Sequence, residues 1–490
     1  IFSYGKISEL KSSDNSLEKL DNYIKQVNDW IFGFISYDLK DEIEDLNSKN
    51  LKYFDVPNLS FFQPSTIWIF DGVILRALYF GEKELLEDWN EINKIHIRLD
   101  ENKNNLNVEL KGRLSKEEYI KKIKNIKNRI KIGDTYELNF CFDFFNENTK
   151  INPENTFKRL NKLTESPMSV YYKDKHFHIL SSSPERFIKR NKRTIISQPI
   201  KGTKKRGKTF KEDVFLINSL KNSIKEKSEN HMIVDLVRND LSRIAKKGTV
   251  KVTELSKINT YKNIHQMVST IEAQIENEVF FSKILKSTFP MGSMTGAPKI
   301  KTMKIIDELE ETSRGIYSGA IGYIEPNKNF DFNVVIRTII YDDKLSKISV
   351  NVGSGITFKS DPEDEYEECL TKIDALKKDL NDLGVHFLSC EDSYLNKTTS
   401  KSLILISSDG ERTMCTFLDA SVSLSLKNFD RSIFKKDSIL YLEGYLFDKN
   451  ETKQSMINLC KIARNIGSLV CLSLSDSFCV ERHRKDFLSL

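Results

Sequence analysis

The amino-acid sequence predicts a mixed α/β protein, of the α+β kind in its larger part, with many strands and fewer amphipathic helices. Three observations support this class. Apolar runs of strand length lie at 30–35 and 66–70, a capped amphipathic helix follows Ser115, and strands alternate with a helix after about residue 378. The 490 residues are 39% hydrophobic and 30% charged, which is typical of a globular chain long enough for more than one domain.

Periodicity and capping signals place the elements along the chain. Ser115 and Glu118 form a capping-box pattern, isoleucines at helical spacing follow it, and Gly133 ends the run. Further on, we expect strands at 136–144 and 168–182, a helix over 211–246, a helix with Pro298 as its first residue, strands at 331–341 and 346–352, and a helix after Pro362. Near the C-terminus, strands at 403–407, 439–443 and 468–474 with a helix at 451–465 predict a parallel sheet.

Composition excludes several classes of protein. The net charge of +6 is small for this length and the lysines of 121–127 lie on a solvated helix face, so we expect no nucleic-acid binding. We find neither an apolar run long enough to span a membrane nor a secretory signal, which predicts a cytoplasmic protein. The seven cysteines lack Cys-x-x-Cys spacing, which argues against a disulfide framework and against a zinc site. A start at Ile1 rather than Met suggests a fragment.

Two pairs of glutamates are candidates for a metal site. Glu226 and Glu229 form one pair, and Glu365 and Glu368 form the other. Spacing of i, i+3 can present both carboxylates of a pair on one helix face, and two such helices facing each other would give Mg²⁺ the oxygen ligands that it prefers. The alternative is two ordinary acidic surface turns.

Glycine-rich turns and one lysine are the other candidates for chemistry. The turns at 202–203, 292–299 and 353–355 combine glycine with hydroxyl residues and suit the binding of an anion, although each is also common as a purely structural turn. The turn at 292–299 lacks the Gly-Lys-Ser/Thr ending of a nucleotide P-loop. Lys201, between a proline and a glycine, would serve as a nucleophile if burial lowers its pKa; the alternative is a solvated lysine.

Taken together, these segments resemble those of the chorismate-utilising enzymes. The matching segments, in order, are 182–187, 199–203, 232–240, 265–270, 289–299, 314–323, 336–338 and 353–372. The resemblance implies one large α/β unit over residues 1–378, with two large antiparallel β-sheets packed in a sandwich, helices on the outside and the active site in the cleft between the sheets. Within it, residues 1–112 would be the N-terminal part and 113–378 the chorismate-binding catalytic region.

The resemblance also implies a role for each matching residue. Glu229 and Glu368 would be the principal Mg²⁺ ligands, with Glu226 and Glu365 beside them. Contacts to the substrate would come from Arg337 and Tyr317 on the pyruvyl carboxylate, from backbone donors at Gly353 and Gly355, and from Gly202, Thr203, His265 and Thr295 along the pocket. For His265 the alternative is a core histidine with both ring nitrogens satisfied.

Lys201 implies the reaction within this family. Anthranilate synthases resemble this region but carry alanine there, whereas aminodeoxychorismate synthases carry lysine. The lysine would attack C2 of chorismate while Glu185 protonates the departing C4 hydroxyl, and ammonia would then add at C4. We find no glutaminase signature and no pyridoxal lyase region, so we expect a separate glutamine amidotransferase as ammonia source and a product that keeps its enolpyruvyl group. The alternatives are anthranilate synthase component I and a non-catalytic chain.

Residues from about 379 to 490 resemble a middle piece of a ribokinase-type (PfkB-type) carbohydrate kinase. The segments that carry the resemblance are 402–407, 409–414, 441–445 and 475–480. The glycine pair that precedes them in such kinases and the Gly-Ala-Gly-Asp stretch that follows are missing. We therefore expect no kinase activity and a poorly anchored, partly disordered appendage, which suggests a fusion of gene fragments or an assembly artefact; the alternative is a true fusion whose missing half another chain supplies.

Overall fold

A computed structural model describes residues 1–44, 46–81, 85–94, 110–207, 209–380, 401–406, 412–417, 436, 438–475 and 477–489. The chain divides into two compact units, residues 1–383 and residues 384–490. The junction expected between 376 and 384 lies partly outside the described residues.

Helices of the first unit are α1 (Ser16–Val27), α2 (Lys40–Ile43), α3 (Leu85–Lys94), α4 (Lys116–Lys131), α5 (Pro153–Thr164), α6 (Phe210–Asn222), α7 (Ile224–Ser242), α8 (Phe281–Thr288), α9 (Lys299–Leu309) and α10 (Pro362–Leu380). Its strands are β1 (Phe2–Ser12), β2 (Ile31–Ile35), β3 (Leu59–Phe70), β4 (Leu75–Tyr79), β5 (Lys111–Gly112), β6 (Glu137–Asn146), β7 (Met168–Asp174), β8 (Phe177–Ser183), β9 (Arg186–Asn191), β10 (Thr194–Gln198), β11 (Ile200–Lys205), β12 (Lys251–Thr260), β13 (Ile264–Gln274), β14 (Gly296–Ala297), β15 (Ala320–Ile324), β16 (Phe330–Val334), β17 (Thr338–Asp342) and β18 (Lys347–Ile356). None of the described helices has both the length and the apolar character that a membrane crossing requires.

The strands form two antiparallel sheets. Sheet 1 has 11 strands in the order β1-β3-β2-β15-β16-β9-β10-β13-β11, with β4 paired to β3 and β12 paired to β13. Sheet 2 has seven strands in the order β14-β6-β18-β17-β8-β7, with β5 paired to β6. Non-consecutive neighbours such as β2 and β15 mean that the N-terminal strands complete the same sheet as strands from much later in the chain.

The two sheets pack face to face, with helices on their outer faces. One buried apolar cluster joins Phe34 and Ile321 of sheet 1 to Tyr172, Ile179 and Ile340 of sheet 2. A second cluster packs α1, α7 and α8 against sheet 1, and a third packs α4, α5, α9 and α10 against sheet 2. The predicted pair of antiparallel sheets flanked by helices is therefore confirmed.

The structure shows why local signals place several elements correctly. The Ser115 side chain accepts a hydrogen bond from the backbone of Glu118 while the Glu118 carboxylate caps the backbone of Ser115, so the predicted capping box starts α4. Ile123 and Ile126 are fully buried against sheet 2, as the helical spacing of the isoleucines predicts.

Four predicted elements differ from the structure. The strand expected at 168–182 is two antiparallel strands, β7 and β8. The helix expected over 211–246 is two helices, because Ser223 takes an extended conformation and its side chain caps α7 at Glu226. The strand expected at 331–341 is divided, since β16 belongs to sheet 1 and β17 to sheet 2. Pro298 lies one residue before α9 with an extended backbone, rather than inside the helix.

The second unit contains β19 (Lys401–Ile406), β20 (Arg412–Phe417), β21 (Ile439–Glu443), β22 (Leu469–Ser473), α11 (Asn450–Ile466) and α12 (Ser477–Ser489). Strands β21 and β22 are parallel, as predicted, but the expected inclusion of 403–407 in the same parallel sheet is wrong, because β19 pairs with β20 in a separate antiparallel sheet. Leu442, Phe447, Met456 and Leu459 form a small buried cluster. Parts of the kinase-like segments 402–407, 409–414 and 475–480 lie outside the described residues.

Candidate active site

Lys201 and Glu137 connect the two sheets across the cleft. Lys201 lies on β11, at the end of the strand order of sheet 1, and Glu137 is the first residue of β6 in sheet 2. The Lys201 Nζ donates to Glu137 Oε1 at 2.5 Å, and the two side chains are only 10% and 1% exposed. The lysine is thus a buried member of an ion pair, and the alternative of a solvated lysine does not hold.

Backbone contacts hold the start of β6 in place. Strand β14 pairs with β6, so that Ala297 lies opposite Glu137. A Cβ on Gly296 would lie 2.0 Å from the Glu137 carbonyl oxygen, so this close approach requires glycine. Arg314, itself buried, donates to the Asn139 carbonyl at 2.7 Å. Glu137 is therefore fixed by its strand as well as by its ion pair.

Gly355 leaves room for the ion pair. It lies on β18, the strand that pairs with β6 on the side away from β14. A Cβ on Gly355 would lie 2.8 Å from Glu137 Oε1 and 2.9 Å from Lys201 Nζ. The glycine predicted to donate a backbone hydrogen bond to substrate therefore also borders the lysine.

The charge state of Lys201 differs from the sequence-based expectation. Burial alone would lower the pKa of Lys201, but the carboxylates of Glu137 and Glu229 outweigh burial and hold this pKa above its ordinary value. The expectation that burial lowers the pKa of Lys201 and so makes it a ready nucleophile is therefore wrong for the protein without substrate. Lys201 must transfer a proton before it can attack carbon.

Glu185 lies where the chain passes from β8 of sheet 2 to β9 of sheet 1. It is 4% exposed, and the Ser293 hydroxyl donates to its Oε1 at 2.7 Å. Burial raises the pKa of Glu185 to about 7, although the Ser293 hydroxyl and the charge of Lys201 act in the opposite direction. This carboxyl group therefore carries a proton for a large fraction of the time near neutral pH, which suits a general acid.

Arg337 lies at the other crossing between the sheets, from β16 to β17. Its backbone has a φ of 50°, an uncommon conformation for a residue other than glycine. This unusual backbone angle occurs at the residue where the chain changes sheets. Burial lowers the pKa of Arg337, and the neighbouring charge of Glu185 partly offsets that effect. Lys201, Glu185 and Arg337 are thus electrostatic neighbours in one site.

The first predicted pair of metal ligands lies on α7. Glu229 Oε1 is buried and has no hydrogen-bond partner. Burial raises the pKa of Glu229 to about 7, with Lys201 opposing the shift and Glu137 adding to it. Burial raises the pKa of Glu226 as well, and its Oε2 lies 2.9 Å from the position that a Cβ on Gly202 would take.

The second predicted pair lies on α10, and each member has a lysine neighbour. Glu365 is buried, and its Oε1 lies 3.6 Å from Lys225 Nζ. The Glu368 side chain is 53% exposed and its Oε1 lies 2.8 Å from Lys372 Nζ. Although burial acts to raise it, the pKa of Glu368 is lowered because the Lys372 charge dominates.

The residues of this region fit a divalent cation in part. An orphaned, buried carboxylate oxygen on Glu229 and the raised pKa values of Glu226 and Glu229 are what a site that receives a positive charge would show. In the part of the chain that the structure describes, however, no three His, Cys, Asp or Glu side chains are gathered closely enough to hold a metal. The lysines at Glu365 and Glu368 would have to move aside for those two carboxylates to join Glu229.

Of the remaining residues predicted to contact substrate, some are buried and one is exposed. Tyr317 is buried, and burial raises the pKa of its hydroxyl well above the ordinary value. Thr295 is fully buried and donates to the Met291 carbonyl at 3.0 Å, whereas Thr203 is exposed. Gly353 lies on β18, where a Cβ would lie 2.5 Å from Cys141 Sγ.

Both ring nitrogens of His265 have partners within the protein. Its Nε2 lies 2.8 Å from Asp213 Oδ1 and its Nδ1 lies 2.9 Å from Thr260 Oγ1, and the residue is fully buried. These contacts are those of a satisfied core histidine, so they support the alternative stated for it. A substrate contact by His265 stays a prediction.

Sequence reasoning missed two residues of this site, Glu137 and Ser293. Glu137 lies in the predicted strand 136–144, where it is the first of eight consecutive buried residues. An acidic residue at the head of an apolar strand is a signal in itself, since a buried carboxylate needs a partner. Ser293 lies in the glycine-rich turn at 292–299, and nothing local in the sequence connects it to Glu185.

Comparison with known proteins decides the family. Residues 5–378 match the chorismate binding enzyme family. The chain belongs to this family. Among members of the chorismate binding enzyme family, the aminodeoxychorismate synthase component 1 of Bacillus subtilis (strain 168) is 31% identical over 71% of this chain and 76% of its own length.

Two further relatives carry different names. The chain is 38% identical to the probable chloroplastic aminodeoxychorismate synthase of Oryza sativa subsp. japonica, over 58% of this chain and 32% of that protein. It is 36% identical to the anthranilate synthase component 1 of Acetivibrio thermocellus, over 62% of this chain and 60% of that protein. The chain thus spans about a third of the length of the first relative and three fifths of that of the second. Sequence identity alone does not separate the two named activities.

A solved member of the chorismate binding enzyme family has the same fold. The anthranilate synthase component I from Streptococcus pneumoniae TIGR4 superposes with a TM-score of 0.68, at 24% identity, over 76% of this chain and 91% of that chain. A probable sugar kinase protein from Rhizobium etli CFN 42 is 34% identical over 24% of this chain and 35% of that chain, with a TM-score of 0.21. So low a score carries no argument about fold, and the kinase-like reading of residues 379–490 stays a prediction.

Proposed function

We propose that this chain aminates chorismate at C4 to give 4-amino-4-deoxychorismate, with ammonia from a separate glutamine amidotransferase. The observation that carries the proposal is the position of Lys201. Its Nζ is buried between the two sheets, paired with Glu137 and close enough to Glu185 for their charges to interact. A buried amine beside a carboxyl group that holds its proton near neutral pH supplies a nucleophile and an acid in one pocket.

The substrate would bind through its two carboxylates. Arg337 and Tyr317 would contact the pyruvyl carboxylate, and the fork of donors on an arginine suits that group. Backbone N–H groups at Gly353 and Gly355 would add donors from β18, and the segment with Gly202 and Thr203 would line the pocket from β11.

The reaction would proceed in two displacements. In the first, the neutral Lys201 amine forms a bond to C2, both ring double bonds shift by one position, and the C4–O bond breaks as Glu185 gives its proton to the departing hydroxyl, which leaves as water. In the second, ammonia forms a bond to C4, both double bonds shift back, and the C2–N bond breaks to release lysine. The C4 ammonium then returns one proton to Glu185. The net change is loss of water and gain of ammonia, with the enolpyruvyl group retained.

A Mg²⁺ ion would be held by Glu229 and Glu368, with Glu226 and Glu365 beside them, and would offset the negative charge of the ring carboxylate. What supports this ligand set is the orphaned Oε1 of Glu229 and the interaction of the Glu226 and Glu368 charges. Binding would also separate Glu368 from Lys372.

One experiment tests the function directly. The full chain is incubated with chorismate, Mg²⁺ and ammonium salts, and the products are identified by mass, with Lys201→Ala treated in parallel. We expect a product that contains nitrogen and retains the enolpyruvyl group, formed by the wild type and nearly absent with Lys201→Ala. Release of pyruvate with formation of anthranilate would instead assign the chain to the anthranilate synthases, and no nitrogen-containing product would refute the proposal.

A further inference from the structure

The proposed first step leaves one proton unaccounted for. An ammonium group has no lone pair, so Lys201 must lose a proton before its nitrogen can bond to carbon. Burial of its side chain, which is 10% exposed, limits direct transfer to bulk water. The proton must therefore pass to a group inside the site.

Glu137 is the acceptor that the described residues offer in direct contact with the lysine. Its Oε1 lies 2.5 Å from Nζ, a distance at which a proton passes between the two atoms without any movement of the backbone. The other carboxylates whose charges act on Lys201 are Glu229 on α7 and Glu185 between β8 and β9, and neither is within ion-pair distance of Nζ.

Glu137 contacts Lys201 through only one of its two carboxylate oxygens. Its second oxygen, Oε2, is buried and has no hydrogen-bond partner, so the carboxylate charge is stabilised through one oxygen only. Glu185 faces the same pocket with Arg337 beside it, but the proposed function already requires it as the proton donor.

We propose that Glu137 is a further catalytic residue, the base that takes the proton from Lys201 before the attack on C2 and returns it when lysine leaves. This inference rests on the proposed function. In the first step one N–H bond of Lys201 breaks and one O–H bond forms on Glu137, so the pair becomes a neutral amine and a carboxylic acid. After the second displacement the free amine recovers that proton, which restores the ion pair for the next turnover.

Glu137→Gln tests the assignment, because the amide keeps the size of the side chain and an oxygen that faces Nζ but cannot take a proton. We expect kcat for amination near neutral pH to fall by at least about a hundredfold, the usual scale of losing a general base, with little change in KM for chorismate. The kcat of Glu137→Gln divided by that of the wild type should also rise by about tenfold per pH unit above neutrality, because Lys201 must then lose its proton to water. Glu185 titrates in both enzymes, so the decline of rate with pH that it causes in the wild type should be flattened in Glu137→Gln.

Two further variants complete the experiment. Glu147→Gln, the same change just beyond the far end of β6 at an exposed position, should leave kcat and its pH profile unchanged. Glu137→Asp keeps a carboxylate and should retain an intermediate kcat without the steep rise with pH, which keeps the inference testable if Glu137→Gln fails to fold. A Glu137→Gln enzyme with wild-type kcat and pH profile would overturn the inference and leave the proposed function standing. A steep rise of kcat with pH in Glu137→Asp, relative to the wild type, would overturn it in the same way. If the wild type makes no 4-amino-4-deoxychorismate, the proposed function fails first and the role of Glu137 falls with it.

Discussion

Two carboxyl groups that both act on the charge of Lys201 have similar burial and different partners. Glu185 is 4% exposed and accepts a hydrogen bond from the neutral hydroxyl of Ser293, whereas Glu137 is 1% exposed and contacts the ammonium of Lys201. Burial raises the pKa of Glu185 to about 7. At Glu137 the carboxylate is balanced by the positive charge of Lys201. In the proposed mechanism, the partner rather than the degree of burial determines which acid donates a proton and which accepts one.

The largest effect should come from removing Lys201, the ammonium group that pairs with Glu137. Lys201→Ala deletes the proposed nucleophile and leaves Glu137 buried without its partner, so we expect amination to fall by at least about a hundredfold. Steady-state kinetics with ammonium as nitrogen source measures this fall. Residual product should be identified by mass, which distinguishes 4-amino-4-deoxychorismate from anthranilate. Unchanged formation of 4-amino-4-deoxychorismate would contradict the covalent mechanism.

Replacing the proton donor should have the next largest effect. The proposed mechanism uses the acid form of Glu185, so the wild-type rate should decline as pH rises through about 7, where this pKa lies. Glu185→Gln should lower kcat by about a hundredfold and should lose that decline, because no proton remains to titrate. Glu185→Asp serves as the matched control and should keep a declining limb. If Glu185→Gln shows the same decline of rate at the same pH, the decline belongs to another titrating group.

A smaller effect is expected from Glu229, which adds negative charge on the Lys201 side of the pocket. Glu229→Gln should raise the Mg²⁺ concentration needed for half-maximal activity and weaken chorismate binding together, each by about tenfold, because metal and substrate carboxylate share one site. Titration with Mg²⁺ at several chorismate concentrations measures both. Glu363→Gln, at an exposed position of α10, is the control and should titrate as the wild type does. A wild-type titration for Glu229→Gln would show that the ligand is misassigned.

The smallest effect should come from Ser293, the partner that distinguishes Glu185 from Glu137. Ser293 lowers the pKa of Glu185 through its hydrogen bond, in opposition to burial. Ser293→Ala should therefore move the declining limb of the rate to higher pH, by less than about one unit, the scale of one neutral hydrogen bond. The pH profile of kcat measures the shift, with Ser293→Thr as a control that keeps a hydroxyl. A shift to lower pH would mean that the hydroxyl does not stabilise the carboxylate.

Local patterns predict much of the fold because they report on single elements. The capping box at Ser115 and the isoleucine spacing after it locate α4, and both glutamate pairs fall on helices, as their spacing suggests. The same reasoning fails where the chain changes sheets. Residues 331–341 are predicted as one strand from the sequence, but β16 and β17 belong to different sheets with Arg337 at the crossing. Periodicity indicates burial and says nothing about which sheet a strand joins.

The amino-acid sequence predicts a mixed α/β chain, an unusual lysine at Lys201 and two glutamate pairs as candidates for chemistry, and the family resemblance adds Glu185. Only the tertiary structure decided the charge state of Lys201 and the existence of its partner. Glu137 is 64 residues away in the chain and reaches Lys201 because sheet 2 packs against sheet 1. The pKa of a buried group depends on the charges that packing brings within a few ångströms, and spacing along one strand contains no information about a neighbour on another sheet.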